Sequence, residues 1–297
     1  MISLVTGGAG FIGSNLVDYL LKQGHTVISI DNESANNEHF YWNKDAWNIS
    51  IDITDYKALT KCFNCIDKVD YCFHLAAEAR LQPAINNPID TVYKNCVGTT
   101  TVLQCAREAG VKRFVYSSTS SAYGNNPYPN VETQPDDCLN PYSASKTAGE
   151  KFCKMYYDLY GLETVVLRYF NVFGERCPTR GQYAPVIGIF QRQKESGESL
   201  TLVGDGSQKR DFVYVGDVAR ANYMASITPL DTYYGQVFNV GSGKNYSVKE
   251  IADSISNNQK FISKRYGEMD VTLSNIDKIS KVMGWKPEVD VIEWIKS

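Results

Sequence analysis

Residues 7–13 read Gly7-Gly8-Ala9-Gly10-Phe11-Ile12-Gly13, and no other stretch restricts the fold so strongly. The apolar run Ile2 to Thr6 before it reads as a strand. Ser14 to Gln23 after it reads as a helix with Leu16, Val17, Leu20 and Leu21 on the buried side. Gly24 ends that helix, and Thr26 to Ile30 forms a second strand closing on Asp31. The glycines therefore occupy the strand-to-helix turn of a βαβ unit. Gly7 permits the tight turn, Gly10 lets a pyrophosphate approach the backbone, and Gly13 lets helix and strand pack closely. The helix N-terminus adds free N–H groups and the positive end of its dipole. Asp31 can accept both hydroxyls of a ribose and its charge repels a 2′-phosphate, which favours NAD over NADP.

Strands and helices continue to alternate. Ile49 to Ile53 is an expected strand, with Asp52 and Ile53 placed to flank an adenine; Tyr56 to Cys65 is a helix; Tyr71 to Leu75 is a buried strand ending at Ala76-Ala77. Pro88 to Ala109 reads as one long helix, with Asn95 to one side and Leu103 and Cys105 inward. Arg113 to Tyr116 reads as a strand running into the hydroxyl-rich Ser117-Ser118-Thr119-Ser120-Ser121, which either points at a ligand crevice or is a plain polar loop. Thr164 to Arg168 is the next strand. From Glu175 onward the elements shorten and Gly, Pro and turn residues recur. The expected architecture is α/β: a Rossmann doubly wound parallel sheet over 1–174, with later strands contributed from about 208–240, and a smaller, interleaved C-terminal α/β substrate-binding domain over 175–297.

The 297 residues carry a formal net charge of −3, so no basic surplus points to nucleic acid and no polybasic run to a membrane surface. No apolar run approaches the ~20 residues that a bilayer span needs, and the opening residues read as a strand rather than a signal segment. The 8 cysteines follow no disulfide framework, and Cys62-x2-Cys65 lacks the second pair or histidines that zinc requires, so no metal is expected. The composition points to the cytoplasm.

Tyr142 and Lys146 stand one turn apart in Pro141-Tyr142-Ser143-Ala144-Ser145-Lys146. An ammonium fixed there stabilises a phenolate and could bring a phenol with pKa ~10 toward the working pH as a base. Alone, such a pair arises by chance in many chains. Glu78 and Arg80, just past Ala76-Ala77, lie either on the surface or against a substrate.

With these residues assembled, the chain resembles the extended short-chain dehydrogenases/reductases, specifically the NAD-dependent nucleotide-sugar epimerases and dehydratases. The resemblance spans nearly the whole chain, through His74-Leu75-Ala76-Ala77, Tyr142-Ser143-Ala144-Ser145-Lys146, Leu167-Arg168-Tyr169-Phe170-Asn171 and Arg210-Asp211-Phe212-Val213-Tyr214-Val215, to Asp277 to Trp285. It implies a tightly held NAD, a nucleotide-sugar substrate, and a homodimer through a four-helix bundle formed by helices near 91–109 and 142–160. Catalysis falls on Thr119, Tyr142 and Lys146. The cofactor falls on Gly7, Gly10, Phe11, Ile12, Gly13, Asp31, Asn32, Asp52, Ile53, Leu75, Ala76, Ala77, Asn95, Ser117, Tyr142, Lys146 and Tyr169. The substrate falls on Thr119, Ser120, Tyr142, Asn171, Ala184, Val186, Val203, Arg210, Arg265, Glu268 and Thr272, with Arg210 and Arg265 clamping the diphosphate through paired hydrogen bonds.

Dehydratases of this kind carry Asp-Glu directly after the position of Thr119, and UDP-glucuronate decarboxylases and GDP-mannose dehydratases carry Ser-Glu. This chain has Ser120 and Ser121, which favours oxidation and reduction at one carbon, that is, 4-epimerisation of a UDP-sugar. In Arg265-Tyr266-Gly267-Glu268 the residue four past the acid is Thr272, where epimerases restricted to unacetylated sugars carry tyrosine. Together with Gly181-Gln182-Tyr183-Ala184-Pro185-Val186 this implies room for UDP-GlcNAc/UDP-GalNAc besides UDP-Glc/UDP-Gal. The alternatives are a UDP-glucuronate 4-epimerase or another nucleotide-sugar dehydratase or decarboxylase. A non-catalytic NAD-binding regulator would be expected to lack Tyr142, Lys146 or the Thr119 hydroxyl, and all three are present.

Overall fold

Strands that are apolar on both faces need helices on both sides of the sheet. The computed structural model, which describes residues 1–35, 40–180, 184–263 and 270–297, has that arrangement. Strands β1 (Ile2–Thr6), β2 (Thr26–Asp31), β3 (Trp47–Ser50), β4 (Tyr71–His74), β5 (Arg113–Thr119), β6 (Glu163–Tyr169) and β10 (Val237–Val240) form a 7-stranded sheet in the order β10-β6-β5-β4-β1-β2-β3. Every pairing in it is parallel. The order reverses beside β1, between β2 and β4, so the crevice for a ligand opens at the carboxyl end of β1.

On one face α1 (Phe11–Lys22) and α8 (Val215–Ile227) bury Leu16, Leu20 and Val218 against Phe73, Val115 and Leu167. On the other, α2 (Tyr56–Asn64), α5 (Gly98–Glu108) and α6 (Pro141–Tyr160) bury Phe63, Leu103 and Cys153 against Leu4, Phe114 and Val166. Two short helices, α3 (Leu81–Asn86) and α4 (Pro88–Val92), lead into α5.

The smaller unit is made of β7 (Asn171–Phe173), α7 (Val186–Glu195), β8 (Leu200–Val203), β9 (Lys209–Tyr214), β11 (Asn245–Ser247), α9 (Val248–Ile255), β12 (Gln259–Ile262) and α11 (Val291–Lys296). Its sheets are β11-β9-β7 and β12-β8, around Phe173, Phe190, Leu202, Phe212 and Ile251. Helix α10 (Asp277–Met283) instead sends Ile279 and Met283 to the core of the large sheet, as α8 and β10 do, so the chain after 175 serves both units. Of the expected 208–240 contribution, β10 joins the large sheet, whereas β9 belongs to the three-stranded one.

Three local readings need correction. The helix expected over Pro88 to Ala109 contains a π turn at Tyr93–Val97, which carries Asn95 inward. The third strand stops at Ser50, so Asp52 and Ile53 lie in the following turn, where Asp52 accepts from Thr54 N at 2.8 Å. Strand β5 runs on to Thr119 because Ser117, Ser118 and Thr119 pair with Leu167, Arg168 and Tyr169 of β6. A polar run can finish a buried strand when its hydroxyls find partners inside the protein.

Candidate active site

The glycine turn leaves space only where a diphosphate would need it. Gly7 has φ +69°, and a Cβ on it would lie 2.7 Å from Ala76 N; a Cβ on Gly13 would lie 2.0 Å from the Gly7 carbonyl oxygen. At Gly10 the nearest atom is 3.4 Å away, and Gly10 caps α1 without any side-chain hydrogen bond. The N–H groups of the first turn, among the half-buried Phe11 and Ile12, thus stay available to an anion.

Asp31 ends β2 beside this turn, its carboxylate accepting from Ala9 N at 3.2 Å and Glu33 N at 2.8 Å. Burial pushes its pKa up despite those bonds. Asn32 donates to Asp52 Oδ2 at 2.7 Å, so both residues expected at an adenosine stand together. Burial would raise Asp52, but hydrogen bonds from Thr54 and Asn32 outweigh it and hold the carboxyl low. Ile53 packs under Gly98, and Leu75, Ala76 and Ala77 leave β4 alongside Gly7. The cradle of Gly10, the uncapped helix end and the carboxylate of Asp31 fit a dinucleotide with an unphosphorylated ribose.

The catalytic candidates come from two elements. Thr119 closes β5, with Ser120 next to it, both almost fully buried. Tyr142 is the second residue of α6, a helix started by an Asn140–Ser143 capping box with Pro141 in its first turn. Burial pushes the Tyr142 phenol up; a hydrogen bond with Thr119 pulls it down, and the Glu78 charge pushes it further up. Lys146 is driven down to about 8, mainly by burial, and its Nζ lies 4.3 Å from the centre of the Tyr116 ring. Thr119 is the group that pulls the Tyr142 phenol down, while the Lys146 ammonium lies over the face of Tyr116.

Three cofactor candidates serve as struts. Asn95 accepts from Glu78 N at 2.8 Å and donates to Glu78 O at 3.0 Å and to Ser145 Oγ at 2.9 Å, tying the strand end after β4 to α6. Ser117 and Tyr169 join their hydroxyls at 2.8 Å, and Tyr169 donates to Asn222 Oδ1 at 2.9 Å. Glu78 and Arg80 form a two-pronged ion pair, both bonds 2.9 Å.

At the substrate end, β7 lies beside β9, which brings Asn171 to Asp211. Asn171 donates to Asp211 O at 2.9 Å and to Thr272 Oγ1 at 3.1 Å, and Asp211 N donates to the same Thr272 hydroxyl at 3.1 Å. Arg210 holds the Asp270 carbonyl at 3.3 Å. Ala184 and Val186 stand at the start of α7 and Val203 at the end of β8, all half-buried. Arg265 and Glu268, with Gln182 and Tyr183, lie outside the described residues.

Asp211 was not among the expected site residues. Its buried carboxylate accepts from Ser242 N at 2.6 Å, Ser242 Oγ at 2.8 Å, Gly243 N at 3.2 Å, Ser274 N at 2.9 Å and Ser274 Oγ at 2.5 Å. It clasps three segments around Asn171 and Thr272; the motif Arg210-Asp211-Phe212 was its one signal. Among the described residues no group of three His, Cys, Asp or Glu could hold a metal ion, and no helix is long and apolar enough to cross a membrane.

Residues 3–241 match the NAD dependent epimerase/dehydratase family. The chain is 36% identical over 309 residues to a UDP-glucose 4-epimerase of Mycolicibacterium smegmatis, covering 99% of this chain and 96% of that one. Its fold is similar to the crystal structure of a Thermotoga maritima UDP-glucose 4-epimerase with UDP-glucose (34% identity, TM-score 0.93, 100% of this chain and 96% of that one). It is also similar to a UDP-N-acetylglucosamine 4-epimerase from Methanobrevibacter ruminantium in complex with UDP-N-acetylmuramic acid (33% identity, TM-score 0.91, 99% and 95%). The dinucleotide cradle, together with this match along the chain, makes the protein a member of the NAD-dependent epimerase/dehydratase family.

Proposed function

We propose that this protein is a 4-epimerase of UDP-sugars, acting on UDP-GlcNAc/UDP-GalNAc, on UDP-Glc/UDP-Gal, or on both pairs. The observation that carries this reading is the pair Ser120-Ser121 directly after Thr119. Hydroxyls there can bind a sugar, but they supply neither the acid nor the base that expulsion of water from the sugar requires.

Tyr142 and Thr119 bracket the 4-hydroxyl. NAD, when bound, takes up a hydride from C4 and returns it. Tyr142 as phenolate receives the hydroxyl proton as C4 is oxidised, and gives it back when C4 is reduced from the other face. Thr119 holds the same oxygen by a hydrogen bond, and Lys146, charged below about pH 8, favours the anionic form of the site. Arg210 and Arg265 retain the diphosphate while the sugar turns, so binding energy is spent away from the reacting carbon. Thr272 leaves room at C2 for an N-acetyl group.

We further propose a homodimer in the cytoplasm, where the free cysteines stay reduced. The face that would pair exposes Ile89, Val92, Tyr93 and Val97 around α4 and the π turn, and Met155, Leu159 and Tyr160 on α6.

Incubation with UDP-GlcNAc, UDP-Glc and UDP-GlcA, followed by product identification, tests the reading. A 4-epimer from the first or second supports it. Carbon dioxide or a dehydrated sugar defeats it, a 4-epimer from UDP-GlcA alone replaces it with the glucuronate reading, and conversion of unacetylated sugars only removes the argument from Thr272.

A further inference from the structure

Tyr142, Lys146 and Glu150 follow one another at one-turn intervals along α6, and the third has no part in the reaction above. Glu150 is 3% exposed. Its Oε1 accepts from the Ser118 hydroxyl at 2.5 Å and from Arg168 Nε at 2.8 Å, and its Oε2 accepts from Arg168 Nη2 at 2.6 Å. Ser118 is the residue before Thr119, and Arg168 the residue before Tyr169. Arg168 also reaches Asp136 at 2.7 Å and covers the Tyr123 ring at 4.6 Å. A buried ion pair is a weak device for stability, because apolar side chains of the same volume often hold a core equally well. Its placement against three parts of the active site gives it another use.

We propose that Glu150 is a positioning residue for the reaction: its carboxylate ties the ends of β5 and β6 to α6 and sets a fixed negative charge one helical turn from the Lys146 ammonium.

The other groups facing Lys146 cannot supply that charge. They are Tyr116 from β5, His74 from β4, Cys96 from the π turn, and Cys153 on α6 itself. Burial pushes the Tyr116 phenol and the thiols of Cys96 and Cys153 up, and the His74 imidazole down, so all four are neutral near pH 7. The Tyr142 phenol is pushed up as well, and Glu78 acts on that phenol. Among the described residues Glu150 is therefore the carboxylate that favours a protonated Lys146, against the burial that drives the lysine down. Arg168 brings a positive charge to the same carboxylate. Without Glu150 Arg168 keeps Asp136 as its partner, but Lys146 loses the carboxylate that favours its charge; without Arg168 that carboxylate acts on Lys146 uncompensated.

The inference rests on the proposed function for its kinetic arm only. The NAD-loaded protein, its lysines labelled with 13C at Cε, is titrated by NMR as wild type, Glu150→Gln and Arg168→Gln, with the Lys146 signal assigned by its loss in Lys146→Met. The alkaline limb of kcat is measured with UDP-Glc and UDP-GlcNAc. For Glu150→Gln the Lys146 titration and the limb are expected to move about one pH unit toward acid, a loss of about tenfold in turnover above the wild-type midpoint. For Arg168→Gln both are expected to move toward alkali. A Lys146 titration unchanged in Glu150→Gln overturns the proposal. Should that variant not fold, an unchanged or acid-shifted titration in Arg168→Gln overturns it instead. Displaced titrations with no turnover of either sugar uphold the role of Glu150 and defeat the substrate reading.

Discussion

Gly13 stands so close to Gly7 that a Cβ on Gly13 would lie 2.0 Å from the Gly7 carbonyl oxygen. The helix that presents its N-terminus to the cofactor is thereby pressed against the turn leaving β1. Gly13→Ala has to move backbone, and is expected to lose stability at the upper end of about 1–3 kcal/mol, together with NAD binding. Gly10→Ala meets nothing closer than 3.4 Å. It is expected to fold within about 1 kcal/mol of wild type and still to bind NAD more weakly, because the methyl occupies the approach of the diphosphate. Denaturant melts and NAD titration of both variants check the contrast; equal affinity of Gly10→Ala and wild type would show that the diphosphate lies elsewhere.

Removing the Tyr142 hydroxyl takes away the proton carrier while leaving the ring to pack. Tyr142→Phe is expected to lower kcat about 10²–10⁴-fold with the protein folded and NAD bound. Turnover within a few fold of wild type would assign the proton transfer to another group.

Asp211→Ala removes the acceptor for the buried Ser274 N–H and the part-buried Ser242 N–H, while Gly243 N keeps Ser274 Oγ. Each orphaned donor costs about 1–3 kcal/mol, so the loss should be a few kcal/mol, and KM for the UDP-sugar should rise because the lost carboxylate bonds fix the Asp211 backbone that holds Asn171 and Thr272. A destabilised variant with unchanged KM would confine Asp211 to the fold.

His74 is wholly buried between Thr6 Oγ1 at 2.7 Å and Thr99 Oγ1 at 3.0 Å, and burial holds its pKa well below 6.5. Below pH ~6.5 the unfolded chain takes up a proton at this residue that the folded chain refuses. Stability therefore falls as the pH drops, by up to about 1.4 kcal/mol per unit from this one group, and no such loss arises above pH ~6.5. Urea melts at pH 7.5, 6.5 and 5.5 should show the slope in wild type and a smaller one in His74→Gln; identical slopes would refute the assignment.

Ile89 is 83% and Leu159 is 67% exposed, on elements that the dimer proposal puts face to face. Ile89→Glu with Leu159→Glu is expected to halve the particle mass in light scattering while leaving the fold intact. A wild-type protein that is already monomeric would remove that proposal.

The βαβ unit was legible in the order of residues because its constraints are local. A left-handed Gly7, a helical apolar period after Gly13 and a strand ending on Asp31 need no knowledge of distant parts of the chain. That Tyr142 and Lys146 share a helix face was legible from their spacing, and the structure adds the Asn140–Ser143 capping box that starts α6. Strand β5 was underestimated: whether Ser117 to Thr119 form a strand depends on β6 lying beside them and on Glu150 and Tyr169 receiving their hydroxyls. The π turn that carries Asn95 toward Glu78 and Ser145 has no sequence period of its own.

The sequence by itself determined that this chain has a nucleotide-binding βαβ turn, a paired Tyr142 and Lys146, and no carboxylate after Thr119, because these are facts of neighbouring residues. Only the tertiary structure decided which distant side chains meet them: Thr119 pulling on the phenol, Glu150 set against Ser118 and Arg168, and Asp211 clasping the loops around Asn171. Such meetings follow from the parallel sheet bringing strand ends together across tens of residues, and there the charges and hydrogen bonds around Tyr142 are settled by burial and approach rather than by spacing along the chain.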